Sequence, residues 1–211
     1  MIKLYYSPNA CSLASHIALA EAGAEFEAVR VDFKNGEQRS SAFLALNPKG
    51  RVPLLITPRG PLTENPVILD WIAQMYPDAH LKPDGDFYNF SEMQSFNMYL
   101  VSTVHIVFSH LFRAERWADS EAAKAEMKAK VPSNLAPVFK LIEDRLSDGR
   151  PWVCGAQYTV ADPYLYLFTR WLERDGAGGS AGMPLAKAHR DRMQQRPAVQ
   201  KILEAEGLAP V

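Results

Sequence analysis

The chain has only two cysteines in 211 residues, Cys11 and Cys154. Two are too few for a disulfide scaffold and too sparse for a zinc site. Charge of one sign is also missing: 23 Lys and Arg stand against 24 Asp and Glu, for a net charge of -1. With no basic block, neither nucleic acid nor an anionic membrane is an expected partner. The apolar runs are too short to span a bilayer, and the first residues lack a signal-peptide pattern. Paired catalytic carboxylates, a metal cluster, a phosphate loop and a serine triad are absent as motifs. These absences leave a protein expected to be soluble and cytoplasmic, with enough apolar content for a sizeable core.

What is there begins with Tyr5-Tyr6-Ser7-Pro8-Asn9-Ala10-Cys11-Ser12-Leu13-Ala14-Ser15-His16. Ile2–Tyr6 reads as a strand, and Leu13, Ile17 and Ala20 mark an amphipathic helix ending near Gly23. Ser7-Pro8-Asn9 is the turn between them. Cys11 and Ser12 thus sit at a helix start, where free N–H groups and the helix dipole favour negative charge. Two readings follow for Cys11. It is a thiolate of lowered pKa, or a small buried hydrophobe.

The first 80 or so residues read β-α-β-α-β-β-α. The second strand is expected at 28–32, a short helix at 40–46 and the third strand at 52–56. A short strand around Leu62 follows, then a helix carrying Ile68, Trp71, Ile72 and Met75 that stops at Tyr76-Pro77. Pro83-Asp84-Gly85 marks a linker, after which strand signals vanish. Met93, Leu100, Val104, Val107 and Leu111 form a long helical stripe. A helix over 121–131 and another through Leu135, Val138, Ile142 and Leu146 are expected, kinked or split by Pro132 and Pro137. A further helix begins at Thr159, where Thr159-Val160-Ala161-Asp162 reads as a capping box worth about 1 kcal/mol locally. Two short helices close the chain after a loop with four glycines between 176 and 182. The expected fold class is an α/β N-terminal unit over residues 1–78 and an all-α helical domain over 89–211.

This order, with Asn47-Pro48-Lys49-Gly50-Arg51-Val52-Pro53, Leu62-Thr63-Glu64, Trp152-Val153-Cys154-Gly155 and Thr159-Val160-Ala161-Asp162, resembles the cytosolic glutathione S-transferase family, and the first motif resembles its bacterial beta class. The resemblance covers nearly the whole chain. It implies a thioredoxin-like first domain that binds glutathione as co-substrate, an all-helical second domain, and a homodimer. The expected activity is conjugation of the glutathione thiol to a small apolar electrophile, with thiol–disulfide exchange through Cys11 as a companion role. A specialised dehalogenase, isomerase or ether-cleaving enzyme, or a non-catalytic binding scaffold, is the alternative.

The resemblance also implies site residues. Cys11, His105 and Ser12 are the catalytic candidates, with Cys11 either bonding the glutathione thiolate or forming a mixed disulfide with it. Val52 and a cis Pro53 would present a strand edge to the bound peptide. Glu64 would meet the γ-glutamyl ammonium, and the Asn65 amide the γ-glutamyl carboxylate at a helix N-terminus. Read without the resemblance, Glu64 is an acid favouring the helix dipole and His105 a core or interface residue. A basic residue in the loop after the second strand, Lys34 or Arg39, completes the glutathione set. Tyr6, Phe108 and Phe112 are candidate walls for the electrophile, and Arg113 or Arg116 could meet an anionic group. The chain departs from the beta-class pattern at Ile106 (commonly lysine), Met98 (asparagine, although Asn97 is adjacent) and Asn65 (a small residue).

Overall fold

A computed structural model describes the whole chain, Met1–Val211. Four strands, β1 (Ile2–Tyr6), β2 (Phe26–Arg30), β3 (Leu54–Thr57) and β4 (Gly60–Thr63), form one sheet in the order β2-β1-β3-β4. β1 and β2 run parallel, so they need a crossover, and α1 (Ser12–Glu21) supplies it. β3 is antiparallel to both β1 and β4, the latter reached by a tight turn. α2 (Ser41–Leu46) and α3 (Asn65–Met75) complete the expected β-α-β-α-β-β-α unit.

Two strand boundaries differ from the sequence reading. β2 starts at Phe26, because this edge strand is half exposed and shows no alternation that would mark its start. Val31, just past its end, turns into a small cluster with Phe43, Val52 and Leu54. β3 starts at Leu54: Pro53 has no N–H for a ladder, and the Val52–Pro53 bond is cis, as the resemblance implies.

The helical domain comprises α4 (Phe87–Tyr99), α5 (His105–Phe112), α6 (Glu121–Leu146), α7 (Ala161–Trp171), α8 (Pro184–Gln194) and α9 (Pro197–Glu206). α6 corrects an expectation, because it is one 26-residue helix that contains both Pro132 and Pro137. Each proline forfeits one bond, to the carbonyls of Lys128 and Ser133. All four residues are exposed, so the missing donors fall on the solvent side of the helix. A π-helical turn, Leu100–Val104, joins α4 to α5. One extra residue in a turn shifts everything after it by about 100° around the helix. Met98 is therefore 52% exposed and Phe108 fully buried, although a regular helix would put them on one face with His105.

α7 is buried along its whole length and is the centre of the molecule. Asp162 does more at its start than cap locally. One oxygen accepts the Thr159 N–H at 2.7 Å; the other accepts the Val153 N–H at 2.8 Å and lies 3.0 Å from His189 Nε2. The Thr159 hydroxyl meets the Ala161 amide, one residue earlier than a regular capping box requires. Thus one carboxylate ties α7, α8 and the 153–159 loop together.

The two halves share one apolar core of 39 buried residues, so the second domain buttresses the first. α1 packs on α7 and α9. The turn before Cys11 is held from the helical side: Glu206 accepts the Asn9 N–H at 3.0 Å, and Trp171 Nε1–H donates to the Asn9 carbonyl at 3.0 Å. Glu206 also lies 2.8 Å from His16 Nδ1. No helix is long and apolar enough to cross a membrane.

Candidate active site

Between the sheet and α5 lies a cleft with two lobes of about 370 and 450 Å³. Cys11, Arg51, Val52, His105, Ser109 and Arg116 line both, so the lobes meet beside Cys11 of the first domain and His105 of the second.

Cys11 precedes the first turn of α1, but burial dominates its chemistry. Desolvation pushes the thiol up to about 12, against a smaller downward pull from its own backbone amide. The helix-start effect expected from the sequence is real and is outweighed. The thiol is a donor: its S–H points to the Val52 carbonyl at 3.1 Å. His105 is shifted the other way, down to about 4, first by burial and then by the positive charges of Arg116 and Arg51. Its ring rests on Phe168 and Trp171, with centroids 5.7 and 5.4 Å away. At neutral pH the cleft therefore presents a protonated thiol and a neutral imidazole.

One lobe is built for a peptide-like, zwitterionic end. Glu64 stands before α3 at φ 73°, ψ 121°, a backbone conformation that L residues rarely adopt, and such strain gathers at functional positions. Its carboxylate is paired with Lys49 at 2.6 Å, and both are about half exposed. The first-turn amides of Asn65 and Val67 have no acceptor in the chain, and neither does the Val52 N–H. The Asn65 side chain does not intrude on the lobe. It is buried, accepts Ser15 Oγ–H at 2.6 Å and donates to the Cys11 carbonyl at 2.7 Å. It therefore fixes the start of α1 against the start of α3.

The other lobe has walls of Phe112 and Trp171 with five arginines, Arg39, Arg51, Arg113, Arg116 and Arg174. Of the residues expected from the sequence, the cleft brings together Cys11, His105, Val52, Pro53, Glu64, Asn65 and Phe112. Four others lie elsewhere. Ser12 is fully buried and bonds back to Ser7, closing the turn. Tyr6 is buried against His16, and Phe108 is at the centre of an aromatic cluster with Phe139 and Phe168. Lys34 is exposed on the loop after β2, whereas Arg39 of that loop reaches the cleft. Lys49, Arg51 and Arg174 were not assigned from the sequence. The first two fall within the Asn47–Pro53 motif; Arg174 has no local signal, because only the packing of α7 brings it there.

A thioredoxin-like sheet with a cis-proline strand edge, a cysteine at the start of α1 and an all-helical partner domain define a glutathione transferase. The chain belongs to the glutathione S-transferase family. Residues 1–74 match the model "Glutathione S-transferase, N-terminal domain" and residues 100–197 the corresponding C-terminal domain. It is 35% identical to glutathione S-transferase GstA of Escherichia coli O157:H7, over 98% of this chain and all of that one. Among solved structures, a Sulfitobacter glutathione transferase homologue with bound glutathione superposes with a TM-score of 0.90 at 36% identity, covering 99% of each chain. The beta-class glutathione S-transferase of Sphingomonas chungbukensis gives 0.84 at 37% identity, covering 98% of this chain and all of that one. The protein is a glutathione-dependent transferase with glutathione as its co-substrate.

Proposed function

We propose that this transferase conjugates glutathione to a small electrophile at the junction of the two lobes, with Cys11 and His105 as neutral partners of the glutathione sulfur. The observation that carries this reading is that Cys11, His105, Arg51 and Arg116 together line the junction of the two lobes, where burial favours a protonated thiol and an uncharged imidazole. A glutathione thiolate needs donors and positive potential near it, and a second thiolate beside it would repel it. Cys11 S–H can exchange the Val52 carbonyl for that sulfur at little cost.

The γ-glutamyl ammonium meets Glu64, which Lys49 occupies in the free chain, and the γ-glutamyl carboxylate meets the open amides at the start of α3. The Val52 N–H serves the cysteinyl backbone. The electrophile enters past Phe112 and Trp171. In conjugation the C–S bond forms, the leaving group departs with its electron pair, and the thiol proton goes to solvent. Thiol–disulfide exchange through Cys11 is the weaker reading, because a thiol pushed up to about 12 supplies little thiolate.

The test is the Cys11→Ala variant, assayed with 1-chloro-2,4-dinitrobenzene. A hydrogen bond to a charged group contributes about 1.5–3 kcal/mol, so kcat/KM falls about 10- to 150-fold while conjugation persists. Complete loss of conjugation with glutathione binding intact would show that Cys11 acts covalently.

The assembly proposed is a homodimer. Exposed Val67 and Met75 on α3 and Phe87, Tyr88 and Met98 on α4 support it, since these helices adjoin and carry an unpartnered apolar surface. Light scattering at micromolar concentration reads the mass directly, and a monomer would remove the proposal. A cytoplasmic place of action and a part in clearing reactive electrophiles go with the same reading.

A further inference from the structure

The lobe beyond Cys11 is charged in a way that glutathione alone does not balance. Arg113, Arg116 and Arg174 line it from the helical domain, Arg39 and Arg51 from the first, and no carboxylate lines it. Glu64, the one acid lining the neighbouring lobe, is already paired with Lys49. The arginines that do form ion pairs, Arg145, Arg150, Arg190 and Arg196, are outside the cleft. The five guanidiniums oppose one another. Arg116 is held below its ordinary pKa by burial and then by Arg51 and Arg113, with Glu115 giving only partial relief. Arg174 is lowered by burial and then by Arg113.

Glutathione brings two carboxylates and one ammonium. In the binding mode above, the ammonium and one carboxylate are used in the Glu64 lobe. The remaining glycyl carboxylate falls to the wall carrying Arg39 and Arg51. The charge of the glutathione sulfur falls to Arg51 and Arg116, so Arg113 and Arg174, which line only the far lobe, are left facing the electrophile with no counter-charge, and Arg116 stands beside them. Their neighbours are aromatic: the Arg174 guanidinium stacks over the Phe112 ring, 4.1 Å from its centroid, and so presents a planar cationic surface beside Trp171, which meets Phe112 edge-on at 5.3 Å. Unpaired guanidiniums around an aromatic surface form a receptor for an oxyanion on an unsaturated body.

We propose that the electrophile is an anion, with an aromatic or unsaturated body against Trp171 and the Arg174-capped Phe112 ring and a carboxylate or other oxyanion held by Arg113, Arg116 and Arg174. This rests on the transferase reading above and replaces the purely apolar electrophile that the family resemblance suggests.

The test compares 4-chloro-3-nitrobenzoate with the uncharged 4-chloro-3-nitrobenzamide on the wild-type enzyme. In each, glutathione sulfur bonds to the ring carbon, the C–Cl bond breaks, chloride leaves and the thiol proton passes to solvent. Each kcat/KM is divided by the uncatalysed rate constant with glutathione at the same pH, which removes intrinsic reactivity. Any effect of the arginines on the glutathione thiolate acts on both substrates alike and cancels in the ratio. The normalised ratio should favour the carboxylate by about tenfold or more. It should fall toward one in the triple variant R113Q/R116Q/R174Q. A wild-type ratio of one or below overturns the proposal, whatever the variant does. Conjugation of 1-chloro-2,4-dinitrobenzene but of neither probe also overturns it while leaving the transferase reading in place. Turnover of none of the three defeats the transferase reading, and the proposal with it.

Discussion

Alkylation of Cys11 gives a sharp test, because burial and the helix start make opposite demands on it. The thiol is pushed from its ordinary 9.0 up to about 12. At pH 7 a cysteine of pKa 9 is about one part in a hundred thiolate, and one at 12 about one part in a hundred thousand, a loss of about a thousandfold. A more basic thiolate is intrinsically more reactive; with a Brønsted slope of about 0.4–0.5, three pKa units return about 15- to 30-fold. Cys11 in the free enzyme should therefore react with iodoacetamide about 30- to 60-fold more slowly than a solvent-exposed cysteine. Its rate should rise about tenfold per pH unit up to pH 10 without a plateau. Peptide mass spectrometry separates Cys11 from Cys154, itself raised to about 11 by burial. A plateau below pH 9, or labelling as fast as a free thiol, would refute the reasoning and restore the thiolate reading of the helix start.

Asp162→Ala removes the acceptor shared by the buried Thr159 and Val153 amides and leaves His189 unpartnered. Urea unfolding should show a loss of about 3–5 kcal/mol, several times a local cap; a loss of only about 1 kcal/mol would mean the cap acts alone. Glu206→Ala strips the Asn9 amide and His16 of their shared partner, and a loss of about 3 kcal/mol with a weakened affinity for glutathione is expected. Unchanged affinity would show that the turn before Cys11 does not need the helical domain to hold it. His105 is lowered from 6.5 to about 4, so the unfolded chain takes up its proton first as pH falls. Its contribution to stability is present above pH 6.5 and is lost toward pH 4. It amounts to no more than about 3 kcal/mol at 1.36 kcal/mol per pKa unit, the ring being partly exposed. Urea midpoints of wild type and His105→Gln at pH 7 and pH 4 isolate it; a difference between the two proteins that is independent of pH would contradict it.

Much of the fold was legible because its signals are local. The strand and turn residues before Cys11, the breaker at Tyr76-Pro77 and the Thr159–Asp162 cap each lie within a few residues of what they specify. Motif resemblance added Val52-Pro53, Glu64 and His105, which only the fold brings to one cleft. What escaped depends on packing. The π-helical turn at Leu100–Val104 has no proline or glycine to mark it, yet it sets where His105 points. Pro132 and Pro137 look like breakers until they are placed on the exposed side of α6, where a lost bond costs little. The burial that protonates Cys11 and the convergence of Arg51 with Arg116 and Arg174 depend on how the two domains pack, which no local signal records. The Asn65 side chain, a departure from the family pattern, is fully used in tying two helix starts together.

The first measurement is a calorimetric titration of reduced glutathione into the fully reduced protein without electrophile. A cleft with Glu64, the open α3 amides and the Val52 edge should bind glutathione saturably at one molecule per chain, and Glu64→Ala should weaken that binding. No heat of binding at millimolar glutathione would contradict the assignment of this cleft.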